Sequence, residues 1–140
     1  MQIQSSITGW ETHIRDGRKY LQTASRGLSR PAVFNNELIF QMAAMGIEKL
    51  IVGMSQYHHR MPVDHTLSGL VEELRPVCPM DGSLSERITG IERMDDMCSL
   101  TVEHRHAPDD VSVQEILEVG FEVARFVDSQ LFRSPCPRKI

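Results

Sequence analysis

Apolar residues recur along most of the chain at alternating spacings of three and four, which is the period of an amphipathic α-helix. The first such stripe is followed by Ser29-Arg30-Pro31, and proline is accepted at the first position of a helix. We therefore predict one helix before Pro31 and a second helix that begins there. The stripe of the first helix consists of Ile7, Trp10, Ile14, Gly17, Leu21, Ala24 and Leu28.

The second predicted helix is apolar over so much of its girth that we expect it to be the central helix of the fold. One side carries large residues, and the adjoining side includes small ones that let a neighbouring helix approach closely. Pro62 disfavours helical geometry in Met61 and so ends the run. The large residues are Phe34, Leu38, Met42, Met45 and Val52, and the adjoining side holds Ala43, Gly46, Leu50 and Gly53.

Capping residues mark three further helix starts. Asp64 can cap a short helix that Pro76 closes. Ser83-x-x-Glu86 and Ser112-x-x-Glu115 follow the capping-box pattern, in which Ser accepts from an amide three residues on and Glu reaches back. The apolar stripes behind these starts are Leu67, Leu70, Val71 and Leu74, then Leu84, Ile88, Ile91, Met94, Cys98 and Val102, and then Val113, Ile116, Gly120, Val123, Val127 and Leu131.

These elements predict an all-α protein, namely an antiparallel up-and-down four-helix bundle with one additional short helix. Short links between consecutive long helices favour antiparallel packing. No segment has the alternation of a strand pair. We expect one domain over residues 1–134 and a short flexible tail over 135–140, because proline stops the last helix and little apolar surface remains.

The composition is that of an ordinary soluble domain, with 140 residues, 41% hydrophobic and 24% charged. No apolar run is long enough to span a bilayer and no signal peptide is evident, so we predict a cytoplasmic protein. The three cysteines lack a C-x-x-C pair and are expected to be free thiols. The scattered histidines lack an H-E-x-x-H spacing, so we predict neither a metal site nor another cofactor.

Charge is distributed unevenly along the chain. Residues 11–30 contain five basic and two acidic residues, whereas residues 81–130 contain twelve acidic and four basic ones. The basic first helix could attract phosphate groups. The alternative is that its charges simply form a solvated face.

Two segments contain motifs of a recognisable order. Residues 46–50, Gly-Ile-Glu-Lys-Leu, are followed about two turns later by a proline and then by residues 64–67, Asp-His-Thr-Leu. This order resembles the HEPN domain family, whose pattern is an apolar helix with a Glu-Lys pair, then Pro and His-Asp-Leu, so His65 matches and Thr66 replaces Asp. Residues 102–109 resemble the family's Arg-Tyr-Pro segment. There Arg105 matches, His106 replaces Tyr, and an inserted alanine precedes the proline.

The resemblance extends from the first helix to about Leu131 and implies a four-helix core that is commonly dimeric. Family members include nucleotide-binding modules, partners of small nucleotidyltransferases, toxin-type RNA-processing proteins and metal-independent ribonucleases. We therefore expect a homodimer that binds nucleotide or RNA phosphate. The competing hypothesis is a non-catalytic dimeric interaction module. The apolar residues that favour a dimer lie outside the predicted stripes and are Phe40, Ile51, Met54, Phe121 and Phe126.

Arg60 and His65 are the predicted catalytic residues, because the family's ribonucleases use an Arg and a His separated by four to six residues. Imidazole can transfer a proton near neutral pH, and guanidinium can stabilise charge on a phosphate. The alternative is that His65 is a helix-start residue bonded to a neighbouring loop and that Arg60 is a solvated cation.

Further ligand-binding residues are predicted on the loop before the last helix. His104, Arg105 and His106 are expected to lie beside His65 if both loops lie at one end of the bundle. The alternative is that Arg105 pairs with Asp109, with Asp110 or with a helix C-terminus.

Overall fold

The protein is described by a computed structural model over residues 9–98 and 107–133. All regular structure in these two ranges is helical, and no strand occurs in them. The all-α prediction is therefore confirmed for the described chain. The helices are α1 (Trp10–Gly27), α2 (Asn36–Tyr57), α3 (Leu67–Leu74), α4 (Gly82–Cys98) and α5 (Asp110–Arg133).

α1 buries the stripe that its sequence predicts, whereas Leu28 lies beyond the helix and is exposed. Ile7 lies outside the described residues. α2 begins at Asn36, later than predicted, because the side chain of Asn35 accepts a hydrogen bond of 2.9 Å from the amide of Leu38. Pro31 instead opens a turn, in which the amides of the two residues before Asn35 donate to the carbonyl of Arg30.

The buried face of α2 differs from the predicted one. Leu38 and Met45 are 40% and 42% exposed, while the predicted small-residue side is buried. Since nearly the whole girth of this helix is apolar, periodicity alone could not determine its orientation. Its fully buried large side chains are Ile39, Phe40, Ile47, Leu50, Ile51 and Met54.

The last three helices are capped by residues other than the predicted ones. Thr66, not Asp64, caps α3, and its hydroxyl accepts from the amide of Gly69 at 3.1 Å. Asp81 accepts from an amide of the first turn of α4, at 3.4 Å. Asp109 accepts from the amide of Ser112, at 2.8 Å. α4 and α5 therefore begin before the starts that the two capping boxes predict, because an aspartate directly before each helix competes for the same amides. The predicted stripes are buried or partly buried wherever their side chains are described, and the partly buried members are Leu67, Met94 and Leu131.

The closest packing in the described chain joins α1 to α2. A Cβ added to Gly46 would lie 2.9 Å from the carbonyl oxygen of Gly17, and a Cβ added to Gly17 would lie 2.9 Å from that of Gly46. The prediction that small residues of α2 admit a neighbouring helix is confirmed. α2 also packs against α3 and α5, α4 packs against α3 and α5, and α1 contacts α5.

α4 is joined to α5 by Arg87. Its guanidinium donates to Glu115 at 3.0 Å and to Glu122 at 2.9 Å, and its third carboxylate contact is Glu118 at 3.5 Å. The hydrogen bonds that Arg87 donates to Glu115 and Glu122 raise the pKa of Arg87, so the side chain stays charged. The acidic character of the C-terminal half is thus partly neutralised where α4 and α5 meet.

α2 is the one helix in the described ranges that is long and apolar enough to cross a membrane, which the sequence prediction had not identified. Of its most apolar window, 61% is buried inside the protein. Among the residues on which the dimer prediction depended, Phe40, Ile51 and Met54 are fully buried in the core of the same chain. Phe121 and Phe126 are partly buried against it.

Candidate functional site around His65

The C-terminal turn of α2 fixes the position of Arg60. His59 has a φ of 63°, and its amide donates to the carbonyl of Gln56. The amide of Arg60 donates to the carbonyl of Ser55 at 2.8 Å. This pair of bonds is the Schellman arrangement, so a left-handed residue, rather than Pro62, ends the helix. Arg60 is exposed immediately beyond that end.

The connection from Arg60 to α3 is tied to α3 itself. The amides of Val63 and Asp64 donate to the two carboxylate oxygens of Glu73, at 3.1 and 3.2 Å. Asp64 in turn accepts from both the amide and the hydroxyl of Thr66, at 2.9 and 2.8 Å. The amides of the two residues before His65 and of the residue after it are therefore bonded to carboxylates.

His65 is positioned against α2. Its Nδ1 lies 3.2 Å from Oε2 of Glu48, and the two side chains are 56% and 40% exposed. The carboxylate occupies the Nδ1 edge of the ring, so the Nε2 edge is the one that can act on a ligand. The structure thus brings together two residues that are 17 positions apart in sequence and that both belong to the HEPN-like motif.

Thr66, which replaces the aspartate of the family pattern, has a clear structural role as the cap of α3. Gly69 leaves room for this arrangement, because a Cβ there would lie 2.3 Å from the carboxylate of Asp64. The hydrogen bonds from Thr66, that of its amide first, lower the pKa of Asp64. The loop therefore carries a negative charge next to His65 at neutral pH.

Further carboxylates surround this position. Glu92 of α4 accepts from the amide of Ser68 at 2.8 Å, and Glu48 and Glu92 both line a cleft of about 230 Å³ between α2, α3 and α4. An anionic ligand at His65 consequently needs cations from elsewhere to balance these groups. In the described ranges no three His, Cys, Asp or Glu side chains are grouped so that they could hold a metal ion.

The second predicted group, His104, Arg105 and His106, lies outside the described residues, and its convergence on His65 stays a prediction. The segment that follows this group contacts the start of α2. There the side chain of Asn36 donates to the carbonyl of Pro108 at 3.0 Å and to the carboxylate of Asp110 at 2.9 Å. Arg60 lies at the other end of that helix. With 22 residues at a rise of 1.5 Å each, the two ends are about 33 Å apart.

Sequence reasoning gave Glu48 no role beside His65 and did not identify a second cleft, between α1 and α2. That cleft has a volume of about 320 Å³ and is lined by Asp16, Lys19, Tyr20, Thr23, Met42 and Lys49. The excess of cations in the first helix was the available signal for it. The packing of α1 against α2 brings Lys19 and Lys49 to this one cleft.

Comparisons of the chain with protein-family models, with curated proteins and with solved structures find no match.

Proposed function

We propose that the chain is a HEPN-like helical bundle that binds nucleotide or RNA phosphate. In this arrangement α1, α2, α4 and α5 form an antiparallel up-and-down core, and α3 is the additional short helix. The contacts of α2 with α1 and α5, together with those of α5 with α4 and α1, support a four-helix core. The short links between helices support antiparallel neighbours.

The contact between Glu48 and His65 is the observation that carries this proposal. In the HEPN-like pattern the Glu-Lys pair and the histidine come from different helices, and here Glu48 and His65 meet. The arrangement orients an imidazole that, in its protonated form, can donate a hydrogen bond from Nε2 to a phosphate oxygen while Nδ1 donates to Glu48. Arg60 supplies a cation on the same connection as His65. Arg105 belongs to the segment before Pro108, which contacts the opposite end of α2, so Arg105 and Arg60 are alternative cations rather than members of one site.

Binding is tested by calorimetric titration of the protein with AMP and with a short single-stranded RNA. We expect His65→Ala and Arg105→Ala each to weaken binding about tenfold, because each removes a charged or polar donor to phosphate. Arg75→Ala is the matched control, since Arg75 is an exposed cation already bonded to Glu72 at 2.7 Å. Equal affinity in wild type and both site variants would remove His65 and Arg105 from the site.

A ribonuclease activity of the Arg60 and His65 pair is tested separately. RNA is incubated with the protein in the presence of a metal chelator, because the family's ribonucleases need no metal. Cleavage that is lost in both Arg60→Ala and His65→Ala would assign catalysis to this pair. Intact RNA with the wild-type protein would leave binding as the function.

The second candidate function is a non-catalytic dimeric interaction module. The carboxylates around His65 favour it, because they oppose an anionic ligand there. The exposed Leu38 and Met45 also favour it, since they form an apolar ridge along α2. Clefts flank this ridge, with Lys19 and Lys49 in one and Glu48 and Glu92 in the other. A two-fold axis parallel to α2 would place the basic flank of one copy against the acidic flank of the other.

Light scattering tests the dimer. We expect a homodimer in the micromolar range, and a shift toward monomer in Met45→Glu because that change introduces a charge into the apolar ridge. Gln114→Glu, which adds the same charge at an exposed position of α5, is the control. A monomer of 15.9 kDa at all concentrations would contradict the dimer. Copurification with a small nucleotidyltransferase would support the paired system that the resemblance implies.

A further inference from the structure

The cleft between α1 and α2 contains two lysines that form no ion pair with a carboxylate of the described residues. Lys19 is exposed and Lys49 is half-buried, and neither forms an ion pair with a described carboxylate. The carboxylate in the cleft, that of Asp16, lies 3.8 Å from the guanidinium of Arg15. Two ammonium groups therefore face one carboxylate that already has a cation beside it, so the cleft favours an anion.

The same cleft offers a surface for a flat apolar group. The amino group of Lys49 lies 6.0 Å from the centroid of the Tyr20 ring. Met42, partly buried against the core, also lines the cleft, and the hydroxyl of Thr23 adds a hydrogen-bonding group. An aromatic ring beside a cation is the combination that binds a nucleic-acid base next to its phosphate.

We propose that this cleft is a nucleotide subsite, in which Lys19 and Lys49 bind the phosphate while Tyr20 and Met42 contact the base. The choice of nucleotides as ligands rests on the proposed function. The location of the subsite is independent of that function, because none of the four residues belongs to the predicted site around His65. The ligand is a single nucleotide unit, either free or as part of a single strand.

The position of Lys49 links this subsite to His65. Glu48 and Lys49 are consecutive residues of α2, so they lie at nearly the same height but about 100° apart around the helix axis. Glu48 contacts His65 on one side, whereas Lys49 lines the nucleotide subsite on the other. A nucleotide in the cleft would therefore lie at the level of α2 where the histidine is held.

A neighbouring cleft would accommodate a second nucleotide. It has a volume of about 430 Å³, shares Lys19 with the first and is also lined by Trp10, Arg15 and Arg18. Arg18 already forms an ion pair with Asp128, whereas Lys19 forms none with a described carboxylate and lines both clefts. A single strand could thus run along α1 across Lys19, and its affinity should exceed that of one nucleotide.

The test is a set of equilibrium titrations with AMP, with inorganic phosphate and with a six-residue single-stranded oligoadenylate. The double variant Lys19→Gln/Lys49→Gln is expected to weaken AMP binding by about tenfold or more. Tyr20→Leu is expected to weaken AMP but not inorganic phosphate, since it removes the ring and no charge. Arg93→Gln, which removes an exposed cation from the cleft between α3 and α4, is the matched control.

Unchanged AMP affinity in the double variant would overturn the subsite. If binding were lost in His65→Ala at the same time, the proposed function would stand and only this location would fail. If wild-type protein bound neither AMP nor oligoadenylate, both would fail. Equal affinity for inorganic phosphate and AMP would overturn the assignment of Tyr20 and Met42 to the base. Tighter binding of oligoadenylate than of AMP identifies a strand as the ligand, and equal binding identifies a free nucleotide.

Discussion

The residues that end α2 have different environments although they are consecutive. His58 is half-buried, and burial, together with the charges of His59 and Arg60, lowers its pKa below the usual 6.5. His59 adopts a left-handed conformation that glycine or asparagine would occupy with less strain. The sequence indicated a break in the helix here, but not its cause, because Pro62 is a stronger local signal than a left-handed histidine.

The lowered pKa of His58 makes stability depend on pH. In the unfolded chain His58 gains a proton as the pH falls below about 6.5, whereas in the folded protein it resists protonation. The unfolded state therefore binds more protons, and stability that is present above this pH is lost as the pH decreases. We expect the urea concentration at the unfolding midpoint of wild type to decrease between pH 7 and 5.

The matched variant is His58→Gln, which cannot titrate in this range. Its loss of stability between pH 7 and 5 should be smaller than that of wild type, while the difference between the two proteins should be constant above pH 8. Parallel pH profiles for the two proteins would contradict the assigned role of His58. Measurements stop at pH 5 because the carboxyl groups whose pKa is lowered, such as those of Asp64 and Asp109, add their own destabilisation under more acidic conditions.

At the scale of elements, the sequence predicts the existence and buried stripes of α1, α3, α4 and α5, because each has one apolar face. It fails for the orientation of α2, where apolar residues surround the helix. It also misplaces four helix starts. α2 begins at Asn36 rather than at Pro31, Thr66 rather than Asp64 caps α3, and Asp81 and Asp109 compete with the serines that follow them. Periodicity determines which face is apolar, but several nearby polar side chains can satisfy the same first-turn amides.

The close approach of α1 and α2 gives a prediction at this scale. In Gly46→Ala the new methyl group would lie 2.9 Å from the carbonyl oxygen of Gly17, and a backbone atom cannot move aside without separating the helices. We expect a loss of about 1–3 kcal/mol in the free energy of unfolding, measured with urea. Gly90→Ala is the control, because nothing lies within 4 Å of its Cβ. That change should add about 0.5–1 kcal/mol of stability. An unchanged free energy of unfolding in Gly46→Ala would refute the close contact.

For the whole molecule, the opposite charges of the two chain halves correspond to different surfaces. The basic residues of α1 line the clefts beside α2 and Leu131, whereas acidic residues of α5 surround Arg87. The sequence predicted this asymmetry, and the role that it assigns to His65 stays a prediction. It could not predict that Glu48 holds His65, because helix periodicity does not determine how a connecting loop folds back. The placement of Lys49 beside Tyr20 likewise depends on how α1 and α2 pack.

Nucleotide phosphate is expected to bind on the two flanks of α2 that Glu48 and Lys49 define. Titration of ¹⁵N-labelled protein with AMP, followed through the backbone amide resonances, tests this binding most directly. We predict saturable shifts for the amides of residues 64–69, for those of residues 19–23 and for Lys49, and these shifts should diminish with added salt. The absence of saturable shifts, or shifts confined to the acidic surface around Glu115, would contradict it.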